Sequence, residues 1–156
     1  IGRSVIKSEI NQCYNKGKVT GASLVGGILG QSNALVLQNC YNSAEVIGTG
    51  TLMNVGGILG NSTNKDVIIN NCYNVGAITQ GYGLTKGGDA DGKNITLTSC
   101  ITLSNAAVSP VLNVAAGGYV VKSDSDMKQQ TTYDGWNFTS IWLMPSSSYP
   151  KLQWEN

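Results

Sequence analysis

Val25-Gly26-Gly27-Ile28-Leu29-Gly30 returns letter for letter as Val55-Gly56-Gly57-Ile58-Leu59-Gly60, thirty residues further along the chain. Self-similarity at a fixed period of this size constrains a fold more than local propensity does, because it means one small unit used repeatedly. The cysteines keep the same beat: Cys13, Cys40, Cys72 and Cys100 are spaced 27, 32 and 28 apart. Between each glycine block and the next cysteine lies an aliphatic stretch: Ala34-Leu35-Val36-Leu37, Val67-Ile68-Ile69, then Ile95-Thr96-Leu97. After the first three cysteines come Tyr, Asn and a further aliphatic position, in Lys18-Val19, Glu45-Val46 and Ala77-Ile78.

Each unit therefore offers three short β-like segments separated by Gly, Asn and Ser turns. Helices do not fit, because apolar residues alternate or cluster and glycine sits inside the segments. A unit this small cannot bury its own hydrophobic face, but a stack of them can. The expected fold is all-β, a right-handed parallel β-helix of three to four coils over residues 1–122. Its strands would lie about 4.8 Å apart from coil to coil. Helical and leucine-rich solenoids need long amphipathic helices or an L-x-x-L-x-L frame, and the sequence has neither.

The unit "LVGGILGQSNALVLQNCYNSAEVIG" resembles the GLUG-type repeat of large secreted or surface-attached bacterial proteins, including IgA-protease-type and adhesin-like ones. The resemblance covers roughly residues 10–105. One copy departs from it, reading "GYGLTKGGDADGK" where the glycine-aliphatic-glycine core should stand. The ending "DGWNFTSIWLMPSSSYPKLQW" is similar to the aromatic tail that often closes such arrays, with Asn137 in place of the usual Asp. The resemblance implies an extracellular or cell-surface setting and a bacterial source. It is weak for activity, since one fold hosts many functions.

The cysteines invite four readings. Zinc needs closely spaced ligand pairs, yet no two cysteines here are nearer than 27 residues, and histidine is absent. The absence of histidine also removes Cys-His and Ser-His-Asp catalysis and the H-E-x-x-H motif. Stacked cysteines on neighbouring coils would have Cα atoms within disulfide range, but parallel Cβ vectors hold the Cβ atoms apart, against the ~3.8 Å a bridge prefers. The expectation is a column of buried free thiols acting as small hydrophobes. Asn15, Asn42 and Asn74 share one register and Tyr14, Tyr41 and Tyr73 another, so amide and ring ladders should run beside the thiols.

"GGDADGKN", residues 87–94, offers Asp89, Asp91 and Asn94 as calcium ligands. An EF-hand would need acids where Lys93 and Cys100 stand, which leaves a looser surface site or a plain glycine-rich insertion. In "KSDSDMKQQ", Ser123 or Ser125 should cap one short helix, with Asp126 in its first turn. Tyr133, Trp136, Phe138, Trp142, Tyr149 and Trp154 crowd the last 24 residues. Exposed, Trp136, Trp142, Tyr149 and Trp154 would make a sugar-stacking platform. Buried, they would close the open end of the solenoid, and residues 123–156 are expected to form such a cap.

Charge is sparse and balanced at +1, which argues against nucleic acid as a partner. No apolar run approaches the ~20 residues of a membrane span. The chain begins at Ile1, which suggests a processed protein or a piece of a longer one. Within residues 10–105 the acids are Glu45, Asp66, Asp89 and Asp91; Glu45 and Asp66 hold unrelated repeat positions, so paired carboxylates of the glycosidase kind are not expected. The sequons at Asn61, Asn94 and Asn137 read as chance in a bacterial-type repeat. The expectation is a non-catalytic structural or adhesive module with no metal and no cofactor. Its partners would be the rest of a parent chain, and a host glycan or extracellular protein. A glycan- or protein-binding module is the first alternative, and an accessory region of a large secreted protease or glycan-degrading enzyme the second.

Overall fold

In the computed structural model, which describes residues 1–4, 7–51, 54–62, 67–87, 95–107, 109–111, 114 and 117–155, the residue before every cysteine is left-handed. Its φ is 52° at Gln12, 52° at Asn39, 48° at Asn71 and 49° at Ser99. Asparagine and other short polar residues tolerate that region better than most. A single such residue turns the chain from one strand into the next, so the residue before each Cys is the corner of the coil.

The stack is an all-β solenoid of about three turns, built on four parallel sheets among the described residues. A glycine sheet holds Arg3–Ser4, Leu29–Ser32, Leu59–Ser62, Tyr82–Thr85 and Ser109–Val111, with Val25–Gly26 and Val55–Gly56 alongside. An aliphatic sheet holds Ser8–Asn11, Leu35–Gln38, Val67–Asn70 and Ile95–Thr98. A tyrosine sheet holds Tyr14–Asn15, Tyr41–Asn42, Tyr73–Asn74, Cys100–Leu103 and Tyr119–Lys122. The fourth holds Val19–Gly21, Val46–Gly48 and Ile78–Thr79. Sequence reading counts three segments per coil; the fourth arises because the Tyr-Asn pair after each left-handed corner is itself a strand.

Alternation is cleanest in the aliphatic sheet. Leu35, Leu37, Val67, Ile69, Ile95 and Leu97 point inward, while Val36, Ile68 and Thr96 point out. Ile28, Leu29, Ile58, Leu59 and Leu84 meet them from the glycine sheet to form the main core. The departed copy keeps its place: Gly56 pairs with Tyr82 and Leu59 with Thr85, so Tyr82-Gly83-Leu84-Thr85 occupies the rung of Gly56-Gly57-Ile58-Leu59. Residues 106–122 carry two further parallel strands, Ser109–Val111 and Tyr119–Lys122.

The C-terminal segment starts with the helix Asp124–Met127, whose N-cap is Ser123: its Oγ accepts from the Asp126 N–H at 3.2 Å. An antiparallel pair, Trp142–Leu143 with Lys151–Leu152, follows. This segment does not close the end of the stack as expected. It runs back along the flank of the tyrosine sheet, from Trp136 against Ser99 to Trp154 against Tyr14, and leaves Val120 and Val121 of the last strand 44% and 45% exposed. On that flank Met127, Tyr133, Trp136, Trp142 and Leu152 bury their apolar surface against the rings of Tyr41 and Tyr73. No described helix is long and apolar enough to cross a membrane.

Candidate functional site

Three columns of side chains and a glycine column run along the stack beside the cysteine corners. The asparagines form a continuous amide ladder. Asn15 Nδ2 donates to Asn42 Oδ1 at 2.8 Å, and Asn42 Nδ2 donates to Asn74 Oδ1 at 2.7 Å. Each Nδ2 also donates to a carbonyl two residues ahead in its own coil: Gly17 at 2.8 Å, Ala44 at 2.8 Å and Gly76 at 2.9 Å. Asn42 and Asn74 are fully buried, and amides so placed must be satisfied internally. Thr102 holds the next rung opposite Asn74, and its buried Oγ1 has no partner. The amide ladder ends there.

The glycine column exists to admit these amides. A Cβ on Gly27 would stand 2.6 Å from Asn42 Cγ, one on Gly57 2.4 Å from Asn74 Cγ, and one on Gly83 2.5 Å from Thr102 Oγ1. Coil-to-coil contact is equally tight, since the same added atoms would lie 2.2 Å from Gly57 O and 2.2 Å from Gly83 O. The Gly-Gly block stands out in the sequence as a repeat mark, whereas its pairing with Asn emerges only in the fold. The signal was present, because each copy of the block is followed by the Asn or Thr it must accommodate.

All four cysteines are free. Cys40, Cys72 and Cys100 are fully buried in the main core, whereas Cys13, on the first coil with a neighbour on one side only, is half-buried. The expectation of four buried thiols is corrected at that position. Cys40 Sγ and Cys72 Sγ lie 3.1 Å from the carbonyls of Gln38 and Asn70, and Cys100 Sγ lies 3.2 Å from that of Ile69. Burial pushes Cys100 up to about 11 and pushes Cys72 well above the ordinary thiol value. Within the Cys40–Cys72 pair the thiolate is favoured at Cys40, where it would accept from the Cys72 thiol. These groups behave as small apolar rungs.

The tyrosines face outward and stack. Tyr14 and Tyr41 have ring centroids 5.4 Å apart at 18°, and Tyr41 and Tyr73 are 4.9 Å apart at 2°. Tyr41 and Tyr73 are nevertheless buried, because the C-terminal segment covers them. Trp142 lies 5.9 Å from the Tyr73 ring and 4.6 Å from Trp136, and Tyr133 meets Tyr73 edge-on at 6.2 Å. Trp136 and Trp142 are buried and Tyr149 half-buried; Trp154 alone of the four proposed platform aromatics is exposed, at 56%. A flat sugar-stacking platform of all four does not form. Trp136 Nε1 donates to Ser99 O at 3.1 Å, whereas Trp142 Nε1 is buried without a partner.

Polar contacts lock the cover down. Tyr73 Oη donates to Pro150 O at 2.5 Å, and Tyr41 Oη donates to Glu155 at 2.8 Å. Glu155 also accepts from Lys16 Nζ at 2.5 Å and from the Leu152 N–H at 2.7 Å, with its side chain only 3% exposed. Burial would raise its carboxyl, but these donors outweigh that and hold it below the usual carboxylate range. Burial first, then the Glu155 contact, pushes Tyr41 far up. Nothing in the repeat pattern flags Glu155, a single acid in the aromatic tail.

Chemically, the columns can hold coils in register and little else. No group of three or more potential metal ligands gathers among the described residues. Asp66, Asp89, Asp91 and Asn94 lie outside the described residues. Glu45 forms a surface ion pair with Lys18 at 3.0 Å. The cavity between the last strand and the tail, lined by Cys100, Tyr119, Val120, Thr132, Asp134 and Trp136, measures about 260 Å³; an open groove lined by Gln130, Tyr133 and Phe138 measures about 490 Å³, and one lined by Thr20, Leu24 and Gly27 about 380 Å³. Fold and site together define a parallel β-solenoid with internal side-chain ladders and a lateral aromatic cover. Comparison with protein-family models, curated proteins and solved structures found no match.

Proposed function

We propose that this chain is a non-catalytic structural or adhesive module, a stiff spacer of the GLUG-repeat type from a secreted or surface-attached bacterial protein. The observation that carries the reading is where the repeated side chains go. Asn42 and Asn74 are consumed by their own ladder, the thiols by the core, and Tyr41 and Tyr73 by the aromatic cover. What repeats is spent on holding coils together, and a rod built so would position other parts of a parent protein outside the cell.

One observation favours a second reading, a module that binds a host glycan or extracellular protein. Trp154, 56% exposed, lies 5.4 Å from Tyr14, itself 37% exposed, and this pair is an aromatic surface open to solvent. An accessory role beside a protease or glycan-degrading domain of the same parent is compatible with either reading. Glycan and matrix-protein arrays probed with the intact chain decide between the two. The spacer reading expects no saturable binding and slow tryptic cleavage at the Lys residues within the stack. Saturable binding abolished by Trp154→Ala would overturn it in favour of the second.

A further inference from the structure

The Asp134-Gly135 turn of the tail stands between two hollows. Gly135, with φ 75°, reverses the chain, and Trp136 N–H donates to Tyr133 O at 3.1 Å to close the turn. Asp134 and Trp136 line both spaces. On one side is the cavity of about 260 Å³, whose apolar lining is completed by Ile101 and Val120. On the other is the groove of about 490 Å³ beside Phe138.

Most polar side chains of the tail are spent on the tail itself. Ser123 caps the helix, Lys128 pairs with Asp124 at 2.7 Å, and Asn137 Oδ1 accepts from Thr139 N at 2.9 Å and Ser140 N at 3.0 Å. Around the two hollows the pattern breaks. The side chains of Gln130, Thr131 and Asp134 have no hydrogen-bond partner among the described residues. Thr132 Oγ1 donates to Asp126 O at 2.7 Å, which leaves its lone pairs free to accept. An amide, two hydroxyls and a carboxylate therefore ring an apolar lining. Among the described residues no lysine or arginine lines either hollow.

We infer that the two hollows form one saccharide-binding cleft, which takes a neutral or amino sugar of two or more rings across the Asp134-Gly135 turn. A few convergent polar groups over an apolar floor are what a ligand site requires. A sugar matches this set, because its ring has an apolar face and each hydroxyl both donates and accepts. A cationic peptide side chain only donates, and would leave the donors of Gln130 and Thr131 without use. The single charge in the lining selects among sugars. Asp134 accepts strongly from a hydroxyl or an ammonium group, and repels the carboxylate of a uronic or sialic acid. Since Asp134 lines both spaces, one ligand can fill both and share that carboxylate. The inference rests on the glycan-binding reading above, but none of these residues belongs to the Trp154–Tyr14 pair.

The test is a glycan array of neutral, amino and acidic sugars, probed with the intact chain and with Asp134→Ala and Trp154→Ala, each hit then titrated by calorimetry. Saturable binding to neutral or amino oligosaccharides is expected, weakened about tenfold or more by Asp134→Ala and unchanged by Trp154→Ala. Asp134 is exposed in its turn, so the variant should keep the wild-type circular dichroism spectrum. If it does not, Gln130→Ala and Thr131→Ala make the same comparison. Binding lost in Trp154→Ala but intact in Asp134→Ala overturns this site and leaves the glycan reading standing. No binding to any sugar overturns both. A preference for acidic sugars, or capture of a polylysine peptide with no sugar bound, also overturns the assignment.

Discussion

Gly57 lies against Asn74 so closely that a Cβ on the glycine would stand 2.4 Å from the amide carbon and 2.2 Å from Gly83 O on the next coil. The glycine and asparagine columns are two halves of one device. Gly57→Ala should therefore lower stability by about 3 kcal/mol, the upper range for forcing atoms into a packed core. Gly17→Ala, whose Cβ would meet only Asn15 Oδ1 at 3.8 Å, should be near neutral. Urea unfolding of the two variants checks the contrast.

The amide ladder predicts changes of both signs. Asn42→Ala removes the donor to the buried Asn74 Oδ1, leaving it unpaired, and one of the two acceptors of the half-buried Asn15 Nδ2, at a cost of about 1–3 kcal/mol. Thr102→Asn should do the reverse. It puts an amide opposite Asn74 in place of an unpartnered hydroxyl, and should gain about 1 kcal/mol by extending the ladder one rung. Equal unfolding midpoints for Thr102→Asn and wild type would show that the fourth coil cannot carry the ladder.

Much of this architecture is legible in the sequence, because a fixed period turns every recurring residue into a column. The registers of Cys, Asn and Tyr follow from spacing alone, and the Ser123 cap from a local hydrogen bond. What was not legible is non-local. Aromatic composition predicts that residues 123–156 bury surface, but not which surface, and the choice of the flank over the end depends on the combined face of Tyr41 and Tyr73. The half-exposure of Cys13 depends on its place in the first coil, which a motif repeated identically cannot show. The rung at Tyr82–Thr85 was hidden because only Gly83 and an aliphatic Leu84 survive from the block.

Stability should fall at both ends of the pH scale, for different groups. Glu155 is held below its ordinary value, so its contribution is present above the unfolded carboxyl value of about 4.3 and is lost as pH falls through the lower, folded value. Tyr41, Tyr73 and Tyr133 are raised, chiefly by burial. Below the unfolded tyrosine value of about 10 their contribution is complete; above it the unfolded chain ionises first and stability falls as pH rises. Ionisation of Tyr41, Tyr73 and Tyr133 should therefore appear together with loss of circular dichroism, and ionisation of those three in a chain that stays folded would contradict this.

The thiols should divide three to one. In the native protein only Cys13 should react with a disulfide reagent, and slowly, because burial raises its thiol and its Sγ lies 3.4 Å from Asn11 O. All four should react in denaturant. A native titre above one would mean that the core rungs of Cys40, Cys72 and Cys100 are accessible, and a denatured titre below four would mean that a disulfide has formed.

The central claim is that the Asn-Cys-Tyr-Asn motif is a rung, each copy resting on the last. Nuclear Overhauser contacts between the rings of Tyr41 and Tyr73 measure this directly, since the two residues are far apart in sequence and stack with centroids 4.9 Å apart. Strong ring-to-ring contacts for that pair, with side-chain amide contacts between Asn42 and Asn74, are the predicted result. Their absence in the folded protein, or contacts in a register shifted by even one residue, would contradict it.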